Sequence, residues 1–514
     1  MNLVLLGLLA YVLIQFGIGV WASRRIDSEK DYILAGRSLG PALVTFSVFA
    51  TWFGAEAMLA TPAEIYKQGL SGATVDPLGY GMALVIAGAL LAGRLWRSGI
   101  TTFADVFRTR YSPSVERLVV IMLLPGSIFW AAAQILAFGN VLASAGGFPL
   151  MTAVTIAAVL VAAYSVVGGL MADAVTDVLQ GIIVIIGLVV LAFAVATAVG
   201  GVGAGLAAVA PEKLSLLPAS GGGLLAGLEK LAVPICGSLV AVELISRYLG
   251  ARTASIARNG TIAGGLMYLT IGMIPLFLGL MATVIAGSDA AFKDSIGDAE
   301  QLVPAMAEKF LPQWYFVIFA GAIISAILSV VHAALHAPAA QLSHNIITRM
   351  MPGLDGRARL WSVRLTVMAL SVVAYVLAVT YTHIKELVEI ASAFGSAGVF
   401  VTAMFALFTR LGGPRAAIAS ILTGTGVWAA GKFGLDWDAP YLAALAASTF
   451  AYLAFAMMEG TPAAQPRVYP IRAEAHGATQ AADAGASAMT DDRLPGIERM
   501  LRAKSRRGKR RRKS

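Results

Sequence analysis

A stripe of polar side chains lies in the otherwise apolar segment SAILSVVHAALHAPAAQ, which runs from position 325 to position 341. Its members are separated by four, three and four residues: Ser325, Ser329, His332 and His336. On a helix this spacing places all four side chains on one face. Hydroxyl and imidazole groups bind cations, protons or polar solutes, and in hydrocarbon they are costly without a partner. The stripe therefore requires a binding partner inside the protein.

Two other apolar segments carry a carboxylate near a glycine. VFATWFGAEAMLATP contains Gly54 and Glu56, and LAVPICGSLVAVELIS contains Glu243. A carboxylate at membrane depth is costly unless it binds a solute, a cation or a proton, which favours a functional role for Glu56. Arg247 follows Glu243 by one helical turn, so we expect a structural ion pair between these two side chains. Asp173 follows a Gly-Gly pair at a predicted helix start, where a capping role is sufficient.

The composition is that of a helical membrane protein. Of 514 residues, 58% are hydrophobic and only 13% are charged, and the mean hydropathy is +0.78. Apolar stretches of about 20 residues, each long enough to cross a bilayer as a helix, recur along the chain. The alternating pattern of a β-barrel is absent. The sequence therefore predicts an all-α membrane protein.

Apolar segments and turn signals together predict about 13 transmembrane helices. They fall near residues 2–22, 41–65, 73–95, 115–142, 148–168, 174–199, 228–248, 258–286, 312–341, 361–383, 386–410, 413–433 and 438–459. Residues 1–460 are thus predicted to form one transmembrane domain. The remainder, residues 461–514, is rich in Ala, Gly, Thr and Asp before it turns basic, and it is predicted to be a disordered tail.

Lysine and arginine are concentrated in alternate loops. They follow the first, third, seventh and ninth crossings, and they recur in the last segment, RMLRAKSRRGKRRRKS. By the positive-inside rule these loops and the tail are cytoplasmic and the N-terminus is outside. We expect a multi-pass protein of the cell membrane whose tail contacts anionic lipid head groups, and we do not expect nucleic-acid binding.

The second and seventh crossings are interrupted in a similar way. Glycine or proline beside polar groups predicts a broken helix that exposes backbone groups to a cavity. These residues are Gly54 and Glu56 in the second crossing, and Pro234, Gly237 and Glu243 in the seventh. The two crossings are five apart, so units built around them have opposite orientations. This pattern predicts a 5+5 inverted-repeat core, helices 2–6 and 7–11, with broken helices 2 and 7. The alternative is that these glycines only serve helix contacts.

Several loops resemble those of the sodium–solute symporter family. The matching strings are SEKDYILAGRSLG, TFADVFRTRYS, YSVVGGLMADAVTDVLQG and ISRYLGARTASIARNG. Their order and spacing match over roughly residues 1–450. The resemblance implies the inverted-repeat fold and secondary active transport of a small solute by alternating access.

The resemblance also implies a sodium site. Family members bind sodium with backbone carbonyls of the broken second helix and with an Ala-x-x-Ser-Ser/Thr motif on the ninth. The carbonyls correspond to Ala50 and Phe53, and the motif corresponds to Ala326 and Ser329. Val330 stands where the second hydroxyl is expected, and valine cannot coordinate a cation.

Asp177 matches the family's acidic residue near the ion path, which completes the predicted cation site. The predicted substrate pocket comprises Trp52, Gly54, Glu56, Gly237, Ser325 and His332. The departure at Val330 keeps a second reading open. His332 and Asp177 in one cavity suit protonation near neutral pH, so proton-coupled or uncoupled transport is the alternative to coupling by Na⁺.

The expected activity is transport, and no enzymatic constellation is evident in the sequence. There is no nucleophile–base arrangement and no phosphate-binding loop. His332 and His336 have the spacing of zinc ligands, but the sequence offers no third ligand. Glu56 and the free amides of broken helices together suit an amino acid as the solute. A solute sensor that acts through a partner protein is the other function considered.

Overall fold

The computed structural model describes residues 13–21, 23–24, 26–215, 223–296, 299–381 and 384–459. The described part is helical, and its one β-feature is an isolated bridge between Leu39 and Ala251. The predicted tail, residues 461–514, and most of the first predicted crossing lie outside the described residues.

Fourteen helices carry the argument below. They are α1 (Pro41–Trp52), α2 (Thr61–Gln68), α3 (Tyr80–Ile86), α4 (Pro113–Gly146), α5 (Leu150–Ala198), α6 (Gly223–Leu239), α7 (Val242–Leu249), α8 (Ala254–Ser288), α9 (Gln313–Leu342), α10 (Gly356–Thr380), α11 (Ile384–Ala393), α12 (Ser396–Phe408), α13 (Pro414–Phe433) and α14 (Pro440–Glu459).

Shorter helical pieces connect or extend them. Four are π-helical turns: Glu56–Ala60, Val75–Gly79, Ala87–Ala92 and Ser343–Ile347. The others are Glu29–Leu34, Ala35–Arg37, Gly69–Thr74, Gly93–Arg97, Ala104–Arg110, Val202–Ala207, Pro211–Leu214, Ala290–Ile296, Ala299–Gln301, Leu302–Phe310 and Thr348–Met350. A helical stretch is also present over residues 13–21.

Eight helices of the described residues are long and apolar enough to cross a membrane, and the bent pair α6–α7 makes a ninth. The predicted count of 13 is therefore not confirmed. One reason is that a broken crossing consists of helices that are each too short to span a membrane alone, as α1 is. Another is that α5 unites two predicted crossings in one helix of 49 residues.

Gly169 divides α5 into two parts. A straight helix of this length would be about 74 Å long, far more than a bilayer core. At Gly169 the backbone leaves the helical region, with φ +72° and ψ 171°. Few residues other than glycine adopt this conformation without strain. The break lies where the sequence predicted the boundary between the fifth and sixth crossings.

Four arginine-rich loops meet at one end of the bundle. Leu39 pairs with the backbone around Ala251, and the Arg37 guanidinium donates to the Ile100 carbonyl at 2.7 Å. The Arg349 guanidinium lies 2.9 Å from an Asp105 carboxylate oxygen. These contacts join the loops that follow the first, third, seventh and ninth predicted crossings. The prediction that these loops share one face is confirmed.

Both predicted helix breaks exist, but one lies at a different residue. α1 ends at Trp52, and the chain bends at Phe53 and Gly54. The second break lies at Val240 and Ala241, where α6 and α7 meet at 43°. The expected break at Pro234 and Gly237 is wrong, because both residues lie inside α6.

Candidate functional site

The break after α1 releases backbone carbonyls. The Gly54 amide donates to the Trp52 carbonyl at 3.0 Å, so it does not bond the Ala50 carbonyl, its partner in a continuous helix. The Ala55 amide donates to Gln134 Oε1 at 3.1 Å, which leaves a second carbonyl without its helical partner. Free carbonyls at a buried break are potential cation ligands.

Gly54 allows α9 to approach this break closely. A Cβ atom at Gly54 would lie 2.9 Å from Val330 Cγ2 and 3.0 Å from Gln134 Oε1. Both distances are too short for a side chain, so only glycine fits. The valine that replaces the expected second hydroxyl is therefore packed directly against the break.

A large cavity of about 320 Å³ opens beside the break. Charged residues on its wall are mostly acidic: Glu56, Glu64, Asp76, Glu229, Glu389 and Asp438, against Lys230 and Lys432. Asp76 is buried, and its carboxylate accepts hydrogen bonds from the Thr61 and Tyr268 hydroxyls, both at 2.7 Å. Because these partners are neutral, they leave the negative charge of Asp76 uncompensated.

A small cavity of about 70 Å³ lies deeper, between the two helix breaks. It shares the wall residues Glu56, Tyr80 and Ser392 with the large cavity. Its wall also includes Trp52, Trp130, Gly237 and Glu243, together with Ser127, Ser238 and Ser396. None of the described residues that line it is Lys, Arg or His.

Glu56 occupies the junction of the two cavities. Its side chain is buried, the Trp130 indole N–H donates to its Oε1, and Gln134 Nε2 lies 3.4 Å from the same oxygen. The ring of Trp52 lies 5.4 Å from that of Trp130, centroid to centroid. Glu56 is thus a carboxylate held by neutral donors and surrounded by aromatic rings.

Glu243 does not form the predicted ion pair. The guanidinium of Arg247 contacts Asp173 and lies 3.9 Å from an Asp177 carboxylate oxygen instead. Glu243 is 3% exposed, it lines the small cavity, and its Oε1 has no hydrogen-bond partner among the described residues. The Asp173 carboxylate, for which the sequence predicted a capping role, pairs with Arg247.

We use the name polar cluster for the buried group around this ion pair: Ser47, Asp173, Asp177, Arg247, Ser329 and His332. The Ser329 hydroxyl donates to Asp177 and lies 3.2 Å from an Asp173 oxygen. Ser47 donates to Asp177 at 2.6 Å. The cluster connects α1, α5, α7 and α9.

Two residues predicted to line the substrate pocket lie elsewhere. Ser325 accepts a hydrogen bond from Gln15 of the first helical stretch, and it lines neither cavity. His332 belongs to the polar cluster, with Nε2 4.0 Å from Asp173 and its ring packed on Tyr164. On the same face, His336 donates to the Tyr32 carbonyl at 3.0 Å. The stripe therefore faces protein groups.

The remaining predicted pocket residues lie at the cavities or beside them. Trp52, Glu56 and Gly237 line the small cavity. Gly54 lies at the break, between Trp52 and Glu56 in the chain. A Cβ at Gly237 would lie 2.5 Å from the Ser392 carbonyl, so glycine is required for close contact between α6 and α11.

The five residues of the predicted cation site are all buried: Ala50, Phe53, Ala326, Ser329 and Asp177. The structure brings Ser329 and Asp177 into contact. Phe53 packs its ring against Phe49 and Tyr268. As the structure stands, the Ser329 hydroxyl is oriented toward the two aspartates.

Sequence reasoning missed Trp130 and Gln134, which bind Glu56 and the chain at the break. They are one turn apart on α4, within FWAAAQILAFG. A polar amide in the middle of an apolar crossing is a signal that could have identified Gln134. Tyr80 and Ser392, whose hydroxyls are 2.9 Å apart between the cavities, carried no such signal.

Residues 32–424 match the model of the sodium:solute symporter family. The high-affinity choline transporter 1 of Caenorhabditis elegans is 26% identical over 74% of this chain and 70% of its own length. The sodium/glucose cotransporter of Vibrio parahaemolyticus is 27% identical over 63% of this chain and 65% of its own length. A substrate-bound, outward-open Na⁺-coupled sialic acid symporter aligns with a TM-score of 0.79 at 15% identity, over 91% of this chain and 100% of that one.

Proposed function

The chain belongs to the sodium:solute symporter family, and from this premise we propose that it carries a small organic cation across the membrane together with sodium. Choline, the solute named for one relative, is the first candidate. The protein acts as a multi-pass carrier rather than an enzyme. Alternating access would expose the solute site to one side of the membrane at a time.

The observation that carries this proposal is the environment of Glu56. Its buried carboxylate lies among Trp52, Trp130 and Tyr80, at the junction of two cavities. Aromatic faces attract cations, most strongly when water is excluded, and quaternary ammonium groups are recognised in this way. An ammonium ion would also compensate the charge of Glu56, which no side chain at the small cavity does.

The large cavity favours the same class of solute. Among the described residues, six carboxylates and two lysines line it, and Lys432 lies 3.9 Å from Glu389. A cleft with one predominant sign of charge concentrates ions of the opposite sign and speeds their association. A bare anion would meet repulsion along the whole path to Glu56.

An amino acid, the solute suggested by the sequence, has less support. Its carboxylate would need free backbone amides near Glu56. The Ala55 amide is already bonded to Gln134, and the first turn of α7 carries the carboxylate of Glu243. The bonded Ala55 amide and the Glu243 carboxylate therefore disfavour an anionic group at the two breaks. The two curated relatives compared above carry choline and glucose in their names, not an amino acid.

For the coupling ion we propose the site predicted from the sequence. Its ligands would be the carbonyls of Ala50, Phe53 and Ala326, the Ser329 hydroxyl and the Asp177 carboxylate. The released carbonyl of Ala50 and the contact between Ser329 and Asp177 support it. Sodium binding would require Ser329 to turn from the aspartates toward the break.

Uncoupled cation transport is the second candidate. Val330 supplies no ligand, and the Ser329 hydroxyl is already engaged with carboxylates. An interior-negative membrane potential alone favours entry of a cation by about 2.3 kcal/mol per 100 mV. Proton coupling is disfavoured by the position of His332, which lines neither cavity.

We infer the orientation from the arginine-rich loops, which meet at one end of the bundle. By the positive-inside rule this end is cytoplasmic, which would leave the N-terminus outside and the C-terminus inside. Glu64 and Gln68, at the far end of α2, line the large cavity. The large cavity would then open to the outside, as in an outward-open carrier.

The test combines equilibrium binding with flux. Purified protein in detergent is titrated with choline in sodium or potassium buffer, and reconstituted protein is assayed for choline uptake under the same two ions. We expect Glu56→Gln to weaken choline binding at least about tenfold, equivalent to about 1.4 kcal/mol. The matched control is Glu212→Gln, which removes an exposed carboxylate that lines neither cavity.

Each outcome of that test separates the candidates. Tighter choline binding and faster uptake in sodium support symport, whereas equal uptake in both ions supports uncoupled transport. Binding without any flux identifies a sensor. If no organic cation binds, or if Glu56→Gln binds choline as the wild type does, the proposed solute class is wrong.

A further inference from the structure

Glu56 and Glu243 occupy corresponding positions relative to the two helix breaks. Glu56 follows Gly54, where α1 is interrupted, by two residues, and Glu243 follows Ala241, where α6 is interrupted, also by two. Each glutamate therefore lies in the first helical turn after its break. The two breaks are five predicted crossings apart. In a bundle of two inverted repeats, corresponding positions exchange their environments when the access side changes.

Glu243 is buried without a positively charged neighbour on the cavity wall. Its side chain is 3% exposed, and Oε1 lacks a hydrogen-bond partner among the described residues. Arg247, the nearest cation along the chain, is engaged with Asp173 and Asp177. A buried carboxylate without a counter-ion is strongly unfavourable. A cation that enters the small cavity would offset this cost.

The first turn of α7 partly compensates this charge, but it does not replace a cation. A helix N-terminus favours a carboxylate by about 0.3–1 kcal/mol, rising to roughly 2 kcal/mol in partly buried geometries. The loss on burying an unpaired ion is several kcal/mol. The helix end therefore leaves most of this cost to be offset by a ligand.

Access differs between the two glutamates. Glu56 lines both cavities, whereas Glu243 lines only the small one, whose volume is about 70 Å³ against about 320 Å³ for the large cavity. In this conformation an organic cation therefore has more space beside Glu56 than beside Glu243. When the access side changes, the two repeats would exchange their conformations. The space at Glu243 would then become larger, and the space at Glu56 would close.

From this geometry we propose that Glu243 is a second binding residue for the positive charge of the solute, used when the carrier is open to the opposite side. The proposal rests on the proposed function and adds a residue to it. Glu56 binds the cation in the conformation described here. Glu243 binds it after the change of access, so the charge never loses a carboxylate partner during the crossing.

The experiment measures choline KM separately from each side. Right-side-out and inside-out membrane vesicles from the same expressing cells are compared for wild type, Glu56→Gln, Glu243→Gln and the control Glu212→Gln. An uncharged isostere, 3,3-dimethylbutan-1-ol, serves as a competitor of matched shape. Immunoblotting and thermal denaturation check that each variant is folded and equally abundant.

We expect Glu243→Gln to raise KM at least about tenfold in inside-out vesicles and less than about twofold in right-side-out vesicles. Glu56→Gln should show the reverse asymmetry. The preference for choline over the uncharged isostere should disappear only on the side where KM rises. A purely structural role of Glu243 would weaken both ligands equally, because it would not depend on the charge.

Equal changes on both sides, no change on either side, or an unaltered preference for the charged ligand would each overturn the assignment. If Glu243→Gln does not fold, Glu243→Asp tests the same point, with a smaller rise in KM expected only in inside-out vesicles. Failure of the proposed function is distinguishable: wild-type protein would then transport no organic cation from either side.

Discussion

Two pairs of buried carboxylates occupy the core, and they differ in what surrounds them. Asp173 and Asp177 lie in the polar cluster, where Arg247 contacts one and approaches the other. Glu56 and Glu243 line the small cavity, where no described wall residue is a cation. All four side chains are at most 6% exposed, so burial does not distinguish the pairs. The position of the Arg247 guanidinium distinguishes them, because it lies beside the aspartates.

The difference separates carboxylates that the protein itself neutralises from carboxylates that face a cavity unpaired. A buried ion pair is satisfied by the protein itself, and removing one partner leaves an uncompensated charge. In this conformation the polar cluster thereby joins α1, α5, α7 and α9. An unpaired carboxylate facing a cavity is satisfied only when a cation enters. Because Arg247 pairs with the aspartates, Glu243 remains available for a ligand.

The largest effect is expected where the paired group is broken. Arg247→Met should lower the free energy of unfolding by about 3–5 kcal/mol, because two carboxylates would lose their counter-ion. Unfolding in increasing mole fractions of SDS measures this. The double variant Arg247→Met/Asp173→Asn should recover part of the loss. The control is Arg258→Met, which changes an exposed arginine. If Arg247→Met is no more destabilising than this control, the buried ion pair does not stabilise the protein.

A lysine introduced beside Glu56 should pair with this carboxylate and occupy the place of the solute. Ser392 lines both cavities beside Glu56 and Tyr80, so Ser392→Lys should weaken choline binding about 100-fold, or about 2.7 kcal/mol, by occupying the carboxylate. Ser392→Met adds similar volume without charge and should weaken binding less. Isothermal titration of the two variants decides the point, and equal losses would mean that space rather than charge governs the cavity.

A smaller effect is expected at Val330, which lies between the polar cluster and the break after α1. Val330→Ser supplies the missing hydroxyl at the break and should lower the sodium concentration for half-maximal uptake about three- to tenfold, a gain of at most about 1.4 kcal/mol. Val330→Ala, which adds no ligand, should change it little. An unaltered sodium dependence in Val330→Ser would remove this position from the proposed ion site.

The smallest effect is expected at His332. Its ring packs on Tyr164 near Asp173 and faces neither cavity, so His332→Phe should shift the pH dependence of uptake by less than about 0.3 pH unit. Uptake between about pH 5.0 and about pH 8.0, roughly one and a half units on either side of the ordinary histidine midpoint, measures this. A shift of about one unit would restore proton coupling through the polar cluster.

Much of the fold was readable from the sequence because it depends on local chemistry. Long apolar runs dictate membrane helices, and the Gly-Gly pair before Leu170 predicted the interruption that Gly169 makes in α5. Gly54 beside Glu56 predicted the break after α1 for the same reason. The second break was misplaced, because Pro234 is tolerated inside α6 while the chain bends at Val240 and Ala241.

The candidate site was readable only in part, since partner choice is not local. The helical spacing of Glu243 and Arg247 predicted a pair, yet Arg247 finds two aspartates on another helix. The polar stripe on α9 was recognised, but all four of its members contact protein groups: Ser325, Ser329, His332 and His336.

A helical membrane carrier with two broken helices and a carboxylate next to one break can be inferred from the amino-acid sequence, because hydropathy, glycine and charge act through neighbours in the chain. Which buried charges are neutralised can be read only from the folded protein. That outcome depends on α4, α5, α7 and α9 meeting in space, since a carboxylate's role is set by the nearest opposite charge and not by its position in the sequence.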